Sequence, residues 1–264
     1  MPSNDEFTLD YYAHQAKLHG DAISSTMLDG IVRQREQDFI HASLAEMRGG
    51  GEKTKVLDLG CGNGCVTRAT AAKFPTMKIT GGDFCDELLS IAKKHESENC
   101  RFEKVDARNM PFEDQSFDCV VTERCLINIR DWEEQKQAVA EVARVLKQGG
   151  HYVMLECFTD GHENYNRARM EMGLDEIPLP KVNRFFDKDD MMKELSRWFE
   201  KHNNPIKYPP NFLSSHYFCA RVLHAAIDPN SKVRNSEFVK FFAQAVRPDI
   251  GNYSPIQGYR LVRK

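Results

Sequence analysis

The sequence predicts an α/β fold in which a doubly wound, mostly parallel sheet carries helices on both faces. Short apolar segments at 56–59, 78–83, 119–123 and 151–156 are typical of buried strands. Amphipathic helical segments alternate with these strands, and a glycine-rich turn follows the first of them. Strands and helices in alternation form parallel sheets, which bind ligands at the carboxyl ends of their strands.

The first strand and its turn predict a site for a small polar ligand. The turn carries glycines at 60, 62 and 64 with Cys61 between them, and Asp58 stands just before it. Glycine allows the backbone to approach a ligand closely, and free peptide N–H groups there and at the start of the next helix can face that ligand. The acid favours a ligand with an amine or hydroxyl over a bare phosphate.

The later strands also end in acidic residues. Asp83 closes the second strand, about 25 residues after Asp58, near the position where doubly wound nucleotide-binding folds place an acid on the ribose hydroxyls. The third strand, from 100, ends at Asp106, and the fourth ends at Glu123. Because parallel strands end at one edge, we expect Asp58, Asp83, Asp106 and Glu123 to converge with Gly60 on one crevice.

Helices connect these strands at 65–74 and 87–94 and again from Asp131 onward. Asp131 and Glu134 have the spacing of a capping box, and Gly149 and Gly150 stand where a helix stops. We expect Asp86 to cap the second of these helices. A further helix is predicted over 24–47. Its Arg33, Arg35 and Glu36 face either the ligand site or the solvent, and the solvent is the favoured alternative.

The 264 residues, 41% of them hydrophobic, suffice for one well-buried domain with an added cap. We predict an N-terminal helical segment over the ligand site (1–50), a binding core (51–156), a substrate cap (157–253) and a final core strand (254–264). About 100 residues separate the fifth strand from the last, far more than an ordinary connection. Helices are predicted there over 164–172, 188–199, 214–226 and 236–246.

The motifs of residues 55–156 resemble those of the class I S-adenosylmethionine-dependent methyltransferases. The run 55–64 matches the first motif of that family residue for residue, and 144–150 resembles a late motif, with Gln148 where proline is more frequent. The resemblance implies a Rossmann-like sheet of seven strands with an antiparallel C-terminal strand, and S-adenosylmethionine as cofactor.

The resemblance also implies roles for individual residues. Asp83 would bind the ribose with Phe84 near the adenine, and Asp106 and the N–H of Ala107 would read the adenine edge. The fourth strand would end beside the methionine part of the cofactor. The predicted cofactor-binding residues are Tyr12, Asp58, Gly60, Cys61, Gly62, Asp83, Phe84, Asp106, Ala107 and Glu123. Tyr12 lies in a segment that either folds over the cofactor or anchors a terminal helix.

The expected reaction is methyl transfer to an O or N atom of a small metabolite or sugar-like biosynthetic intermediate. A looser resemblance to small-molecule methyltransferases of bacterial biosynthetic and surface-polysaccharide clusters, at 164–169, 182–184 and 250–256, favours that acceptor class. Catalytic candidates are Glu156, an acid at a sheet end, His216, whose unperturbed pKa suits a base, and Arg124. For each of these three residues, a purely structural role is the alternative.

Two alternatives stay open: a nucleic-acid or protein methyltransferase, and a non-catalytic cofactor-binding partner subunit. A formal net charge of −3 does not favour a nucleic-acid partner, and residues 122–125 read Thr-Glu-Arg-Cys instead of an Asn/Asp-Pro-Pro-Tyr motif.

Eight cysteines without a C-x-x-C pair favour a reducing cytoplasm, and we expect no metal site. No apolar run reaches membrane length, and the polar N-terminus is unlike a signal peptide. The sequence is compatible with a monomer or a homodimer.

Overall fold

A seven-stranded sheet runs through the molecule in the order β3-β2-β1-β4-β5-β7-β6. The computed structural model describes residues 4–22, 25, 27–47, 54–202, 208–231, 233 and 235–264. The strands are β1 (Lys55–Leu59), β2 (Lys78–Asp83), β3 (Cys100–Lys104), β4 (Phe117–Glu123), β5 (Leu146–Cys157), β6 (Phe199–Lys201) and β7 (Ile256–Arg263).

Strand directions agree with the predicted doubly wound fold. Strand β1 pairs in parallel with β2 and β4, β2 with β3, and β4 with β5. Strand β7 is antiparallel to both β5 and β6. The mostly parallel, seven-stranded sheet with an antiparallel C-terminal strand is therefore confirmed. The chain reverses its direction of travel across the sheet between β1 and β4, the switch point at which such folds bind ligands.

Helices cover both faces of the sheet. They are α1 (Asn4–His19), α2 (Gly30–Glu46), α3 (Cys65–Lys73), α4 (Asp86–Ala92), α5 (Trp132–Val145), α6 (Thr159–Glu171), α7 (Lys188–Trp198), α8 (Ser214–Phe218), α9 (His224–Ile227) and α10 (Glu237–Ala245), with a π-turn over Cys219–Leu223. The four helices predicted between 164 and 246 are present, with shifted ends.

Three local predictions needed correction. Helix α2 begins at Gly30 because the Asp29 carboxylate accepts from the N–H groups of Ile31 (3.2 Å) and Val32 (3.3 Å); residue 24 lies outside the described residues. Asp86 is the first residue of α4 and not its cap. The short edge strand β6 lies within the segment predicted to be a helical cap, because it completes the pairing of β7.

The main hydrophobic core fills both faces of the sheet with fully buried side chains such as Leu57, Val120 and Val139. A second, smaller cluster of Ala16, Cys85 and Leu88 lies under α1 and joins that helix to α4. Among the residues that the structure describes, no helix combines the length and the apolar character needed to cross a membrane.

Candidate active site

An open cavity of about 1120 Å³ lies at the carboxyl ends of β1, β2 and β4. Its walls come from α1, α2, the glycine turn after β1, and the segments that follow β2, β3 and β4. Eleven predicted site residues line it: Tyr12, Asp58, Gly60, Cys61, Gly62, Asp83, Phe84, Asp106, Ala107, Glu123 and Arg124. Glu156 and His216 do not line it.

The glycine turn forms the floor of this crevice. The N–H groups of Gly60 (2.7 Å) and Cys61 (3.1 Å) donate to the carbonyl of Gly82, so that the turn lies against β2. Gly60 has a φ of 81°, and a Cβ there would lie 2.6 Å from the Cβ and Sγ of Cys125. Only glycine fits this position without moving the segment after β4.

Asp83 lines the crevice at the end of β2, where two backbone groups fix its carboxylate. Its Oδ2 accepts from the N–H of Gly62 at 2.7 Å, and its Oδ1 accepts from the N–H of Cys85 at 2.9 Å. Burial raises its pKa, and these hydrogen bonds oppose that effect. Each oxygen keeps a further lone pair, which is the arrangement needed to accept two neighbouring hydroxyls.

The end of the crevice formed by Asp83, Phe84, Asp106 and Ala107 is called the β3 end below. Arg108 Nη2 lies 2.8 Å from Asp106 Oδ2, and the same guanidinium reaches Asp5 on α1 (2.9 Å) and Glu134 on α5 (2.9 Å). Partial burial works to raise the pKa of Asp106, but the hydrogen bonds from Arg108 outweigh it and lower that pKa. Arg108 thus ties α1 to the β3 end.

Helix α1 lies over the crevice and contacts its far wall. The Tyr12 hydroxyl donates to Asn128 Oδ1 at 2.9 Å, and burial raises the pKa of Tyr12. Asn63 Nδ2 donates to the carbonyls of Gly20 (3.1 Å) and Ala22 (3.0 Å) just after the helix. Tyr12 therefore both lines the crevice and anchors α1 to the core.

Asp58 faces the crevice from the end of β1. Thr67 Oγ1 donates to its Oδ2 at 2.6 Å. Burial raises the pKa of Asp58 to about 7, against that hydrogen bond. This carboxyl group changes charge near neutral pH.

Two arginines and two glutamates form an acid–arginine cluster at the opposite end of the crevice: Arg33, Glu36, Glu123 and Arg124. Arg33 Nη1 lies 2.5 Å from Glu123 Oε1, and Arg124 contacts both Glu36 (Nε to Oε1, 2.9 Å) and Glu123 (Nη2 to Oε1, 3.1 Å). Arg124 has a φ of 52°, a left-handed conformation that is uncommon outside glycine and often marks functional sites.

The prediction that Arg33 and Glu36 face solvent is wrong. Arg33 is 5% exposed and Glu36 is fully buried. The helical spacing of the sequence already indicated this burial. Val32 and Phe39 belong to the buried stripe of α2, and Arg33 and Glu36 fall within the same stripe.

Glu156 lies beneath the crevice and is fully buried. Its Oε1 accepts from the N–H groups of Cys125 (3.1 Å) and Leu126 (3.0 Å), and its Oε2 from that of Ile127 (3.4 Å). Burial raises its pKa to about 7. Glu156 therefore holds the turn after β4 and does not face the crevice.

His216 is 1% exposed and lies outside the crevice. Its Nε2 is 3.1 Å from Asp29 Oδ2, at the start of α2. Burial works to raise the pKa of Asp29, but the hydrogen bonds with His216, Asn235 and the N–H of Val32 together outweigh it, and that pKa is lowered. The pair joins α8 to the start of α2. His216 thus has a structural position and does not reach the crevice.

The described residues of the predicted substrate cap do not line this crevice. Every residue that lines the crevice falls between Asp5 and Ile129, so none of the described residues of 157–253 contributes to it. Helix α7 packs against α5, and β6 extends the sheet edge. Another part of the same segment contacts the turn after β4, where Asn183 Nδ2 donates to Asn128 Oδ1 at 2.6 Å.

Comparison with known proteins agrees with this geometry. A sequence profile of the family described as "Methyltransferase domain" matches residues 56–150. Demethylmenaquinone methyltransferase of Thermotoga maritima is 38% identical over 102 residues, which cover 39% of this chain and 43% of that protein. The Staphylococcus aureus protein of the same name is 42% identical over 106 residues, with the same coverage of 39% and 43%. The chain carries a class I S-adenosylmethionine-dependent methyltransferase domain.

The chain matches less than half the length of these relatives. Over the whole chain, the [4+2]-cyclase SpnF has a TM-score of 0.61 at 20% identity and covers 99% of this chain and 96% of its own. The N-methyltransferase NodS of Bradyrhizobium japonicum, solved with S-adenosyl-L-homocysteine, has a TM-score of 0.56 at 13% identity, covering 97% and 98%. At sequence identities this low, the similarity to these two structures establishes the fold alone.

The crevice of the methyltransferase domain fits S-adenosylmethionine. The turn at Gly60 has no room for a side chain, and the Asp83 carboxylate keeps lone pairs for two hydroxyls. Asp106 and Ala107 both line the β3 end.

Proposed function

We propose that this protein transfers the methyl group of S-adenosylmethionine to an oxygen or nitrogen atom of a small metabolite or sugar-like biosynthetic intermediate. The observation that carries the proposal is the meeting of the glycine turn, Asp83 and Asp106 in one crevice that ends in the acid–arginine cluster. The β3 end suits recognition of a nucleoside, and the cluster supplies charged groups where the transferable methyl would lie.

The proposed cofactor contacts follow from this placement. Asp83 accepts from the ribose hydroxyls, Phe84 packs on the adenine, and Asp106 with the N–H of Ala107 binds the adenine edge. Gly60, Cys61, Gly62 and Asp58 lie along the methionine part, which reaches toward Glu123 and Arg124. Tyr12, on α1, covers the bound cofactor. All ten proposed cofactor contacts line the same crevice.

The sulfonium of S-adenosylmethionine supplies an already activated methyl group. The remaining task of this chain is to align the acceptor, to exclude water and, for a hydroxyl or amine, to accept a proton. Helix α1 excludes water, because Tyr12 and Arg108 fix it across the crevice. Glu156 contributes indirectly to aligning the acceptor, because it positions the segment 125–127.

Several observations support a small acceptor. The relatives in Thermotoga maritima and Staphylococcus aureus are named for demethylmenaquinone, a small molecule. The formal net charge of −3 does not favour a nucleic-acid partner. All eight cysteines are free, as expected of a chain in the cytoplasm, which we propose as its location.

Titration calorimetry with S-adenosylmethionine, followed by label transfer from S-[methyl-³H]adenosylmethionine into small-molecule fractions of a cell extract, tests the proposal. We expect saturable binding and a labelled small molecule whose formation needs the folded protein. No binding would overturn the cofactor assignment. Binding without transfer would instead favour a non-catalytic partner subunit, and label in nucleic acid or protein would replace the acceptor class.

A further inference from the structure

Two tyrosines of the segment 157–253 pack against each other and leave their hydroxyl groups unused. The ring centroids of Tyr165 on α6 and Tyr217 on α8 are 6.3 Å apart, with 32° between the ring planes. Tyr165 is 4% exposed, and Tyr217 is half-buried. Neither hydroxyl is hydrogen-bonded to any residue that the structure describes. Because a buried hydroxyl without a partner is costly, the pair indicates a ligand that supplies the missing hydrogen bonds.

Two arginines lie beside these rings. The guanidinium carbon of Arg221 is 5.9 Å from the centre of the Tyr217 ring, and the side chain is 22% exposed, so a ligand can reach it. Arg169 Nη1 donates to the carbonyl of Arg221, and its Nε donates to the carbonyl of Asp175 at 2.8 Å. Within the described part of the chain, the partners of the Arg169 guanidinium are thus uncharged carbonyls.

The nearby carboxylates do not fully neutralise these arginines. Arg221 Nη2 lies 3.5 Å from Asp29 Oδ2, a long contact, and that carboxylate already binds His216 at 3.1 Å and the first N–H groups of α2. Burial and the neighbouring Arg221 lower the pKa of Arg169, against the effect of Asp175.

The tyrosine hydroxyls keep their protons in this surrounding. Burial raises the pKa of Tyr165 to about 12, although the two arginines oppose that effect, and burial also raises the pKa of Tyr217. Both hydroxyls can therefore donate hydrogen bonds. Two guanidinium groups and two hydroxyl donors lie together, an arrangement that suits an anion.

This tyrosine–arginine site, defined by Tyr165, Arg169, Tyr217 and Arg221, lies beside the acid–arginine end of the crevice. Asp29 contacts Arg221, and Arg33, four residues later on the same face of α2, lines the crevice. One helical turn separates these two positions, which is about 6 Å along the axis. Strand β5 runs parallel to β4, so α6, which follows β5, begins at the same edge of the sheet as the crevice.

The backbone at this site is also unusual. Residues Cys219–Leu223 form the π-turn between α8 and α9, and Arg221 is its central residue. Such turns are rare and occur frequently at functional sites. The position of Arg221 therefore supports a role in binding.

We propose that the tyrosine–arginine site binds an anionic group, a carboxylate or a phosphate, of the methyl acceptor. This inference rests on the proposed function and narrows its acceptor to a small anionic metabolite. Arg221 supplies charge and hydrogen bonds, and the hydroxyls of Tyr165 and Tyr217 donate to the anion. The acceptor is held by its charged end beside the start of α2, and its reacting oxygen or nitrogen atom reaches the crevice. Neutral acceptors are disfavoured, because they would leave two guanidinium groups without a counter-ion.

The first test measures the charge of the product. The small molecule labelled from S-[methyl-³H]adenosylmethionine in cell extract is applied to a quaternary-ammonium anion exchanger at pH 8, before and after treatment with alkaline phosphatase. We expect the untreated label to be retained. Release after phosphatase would identify a phosphate monoester, and continued retention would favour a carboxylate. Untreated label that passes through the exchanger would overturn the inference.

The second test separates acceptor binding from the other steps. For Arg221→Gln we expect the amount of acceptor fraction that gives half the maximal rate to rise at least about tenfold. The maximal rate and the affinity for S-adenosylmethionine should stay within about twofold. Arg221→Lys, which keeps the charge but loses the planar fork, should lie between this variant and wild type. Arg247→Gln, an exposed arginine of the same segment paired with Asp249, is the matched control and should behave as wild type.

Inorganic phosphate tests the site without any acceptor. Protein with ¹⁵N-labelled arginine side chains, saturated with S-adenosylhomocysteine, is titrated by NMR with sodium phosphate at constant ionic strength. We expect the Nε signal of Arg221 to shift saturably and the shift to be lost when Tyr165→Phe and Tyr217→Phe are combined. Phosphate should also inhibit methyl transfer in competition with the acceptor and not with the cofactor. The absence of a saturable shift would overturn the inference.

The outcomes separate the two proposals. An unchanged acceptor requirement in Arg221→Gln would overturn the inference, because Arg221 would then only hold the start of α2. If that variant does not fold, Arg221→Lys and Tyr217→Phe decide the same question. A neutral product leaves the proposed function intact and removes only the inference. If the wild type binds the cofactor and labels nothing, the proposed function fails, and the phosphate titration still decides whether the site binds an anion.

Discussion

The two ends of the crevice hold their acids in different ways. At the β3 end, backbone N–H groups fix Asp83, and Arg108 pairs with Asp106. In the acid–arginine cluster, Arg124 contacts both Glu36 and Glu123, and Arg33 contacts Glu123. Carboxylates that are fixed singly suit recognition of neutral hydroxyl and amino groups, whereas the cluster holds its two carboxylates in ion pairs. One crevice therefore combines an end that offers free acceptor positions with an end whose charges are already paired.

Gly60 joins the two ends, and its replacement should have the largest effect on stability. Gly60→Ala places a Cβ 2.6 Å from Cys125 at a φ of 81°. We expect the free energy of unfolding, measured by denaturant titration, to fall by about 3 kcal/mol from backbone strain and overpacking together.

Gly149→Ala is the matched control for Gly60→Ala. Gly149 has a φ of 71° but no atom within 4 Å of the added Cβ. It should lose only the conformational part, about 1 kcal/mol. Equal losses in the two variants would show that close contact between the glycine turn and Cys125 is not what requires glycine.

The β3 end is tested through Asp83. Asp83→Ala removes the acceptor of the Gly62 and Cys85 N–H groups and the proposed ribose contact. We expect calorimetry to show S-adenosylmethionine binding weakened at least about tenfold, or about 1.4 kcal/mol, with the fold retained. Asp86→Ala, three residues later and exposed, should bind normally. An Asp83→Ala affinity within about twofold of wild type would contradict the ribose role.

The turn beneath the acid–arginine cluster gives stability a pH dependence through Glu156. Its pKa is raised from 4.5 to about 7 by burial, so the folded protein binds this proton more tightly than the unfolded chain does. The associated stability is present below the unfolded pKa and is lost as pH rises through the folded pKa.

Glu156→Gln should remove this dependence. Relative to the variant, the wild type should lose free energy of unfolding between about pH 4.5 and 7, as measured by denaturant titration across that range. A constant difference between the two proteins over these pH values would show that folding does not raise the pKa of Glu156.

Tyr12 links α1 to the crevice wall, and its variant should have the smallest effect. Tyr12→Phe removes one hydrogen bond to Asn128 and keeps the ring. We expect cofactor affinity to fall about threefold to fivefold, in line with a net value of about 1 kcal/mol for such a bond. Tyr11→Phe, whose ring is 42% exposed, should leave the affinity unchanged. An unchanged Tyr12→Phe affinity would mean that this bond does not hold α1 over the cofactor.

The sequence by itself determined the fold and the β3 end. Alternating strands and helices fix a parallel sheet, and acids at the ends of parallel strands must meet at one edge, so Asp58, Asp83 and Asp106 were found from position alone. The same reasoning located Glu123, but gave no partner for it.

Only the tertiary structure decided which groups pair across the chain. Arg33 reaches Glu123 across 90 positions, and His216 reaches Asp29 across 187. Glu156 ends a strand as the other acids do, yet its carboxylate turns under the segment 125–127, whose N–H groups would otherwise be buried without partners. Sequence position places a residue on an element, whereas the direction and partner of its side chain depend on the packing of elements far apart in the chain.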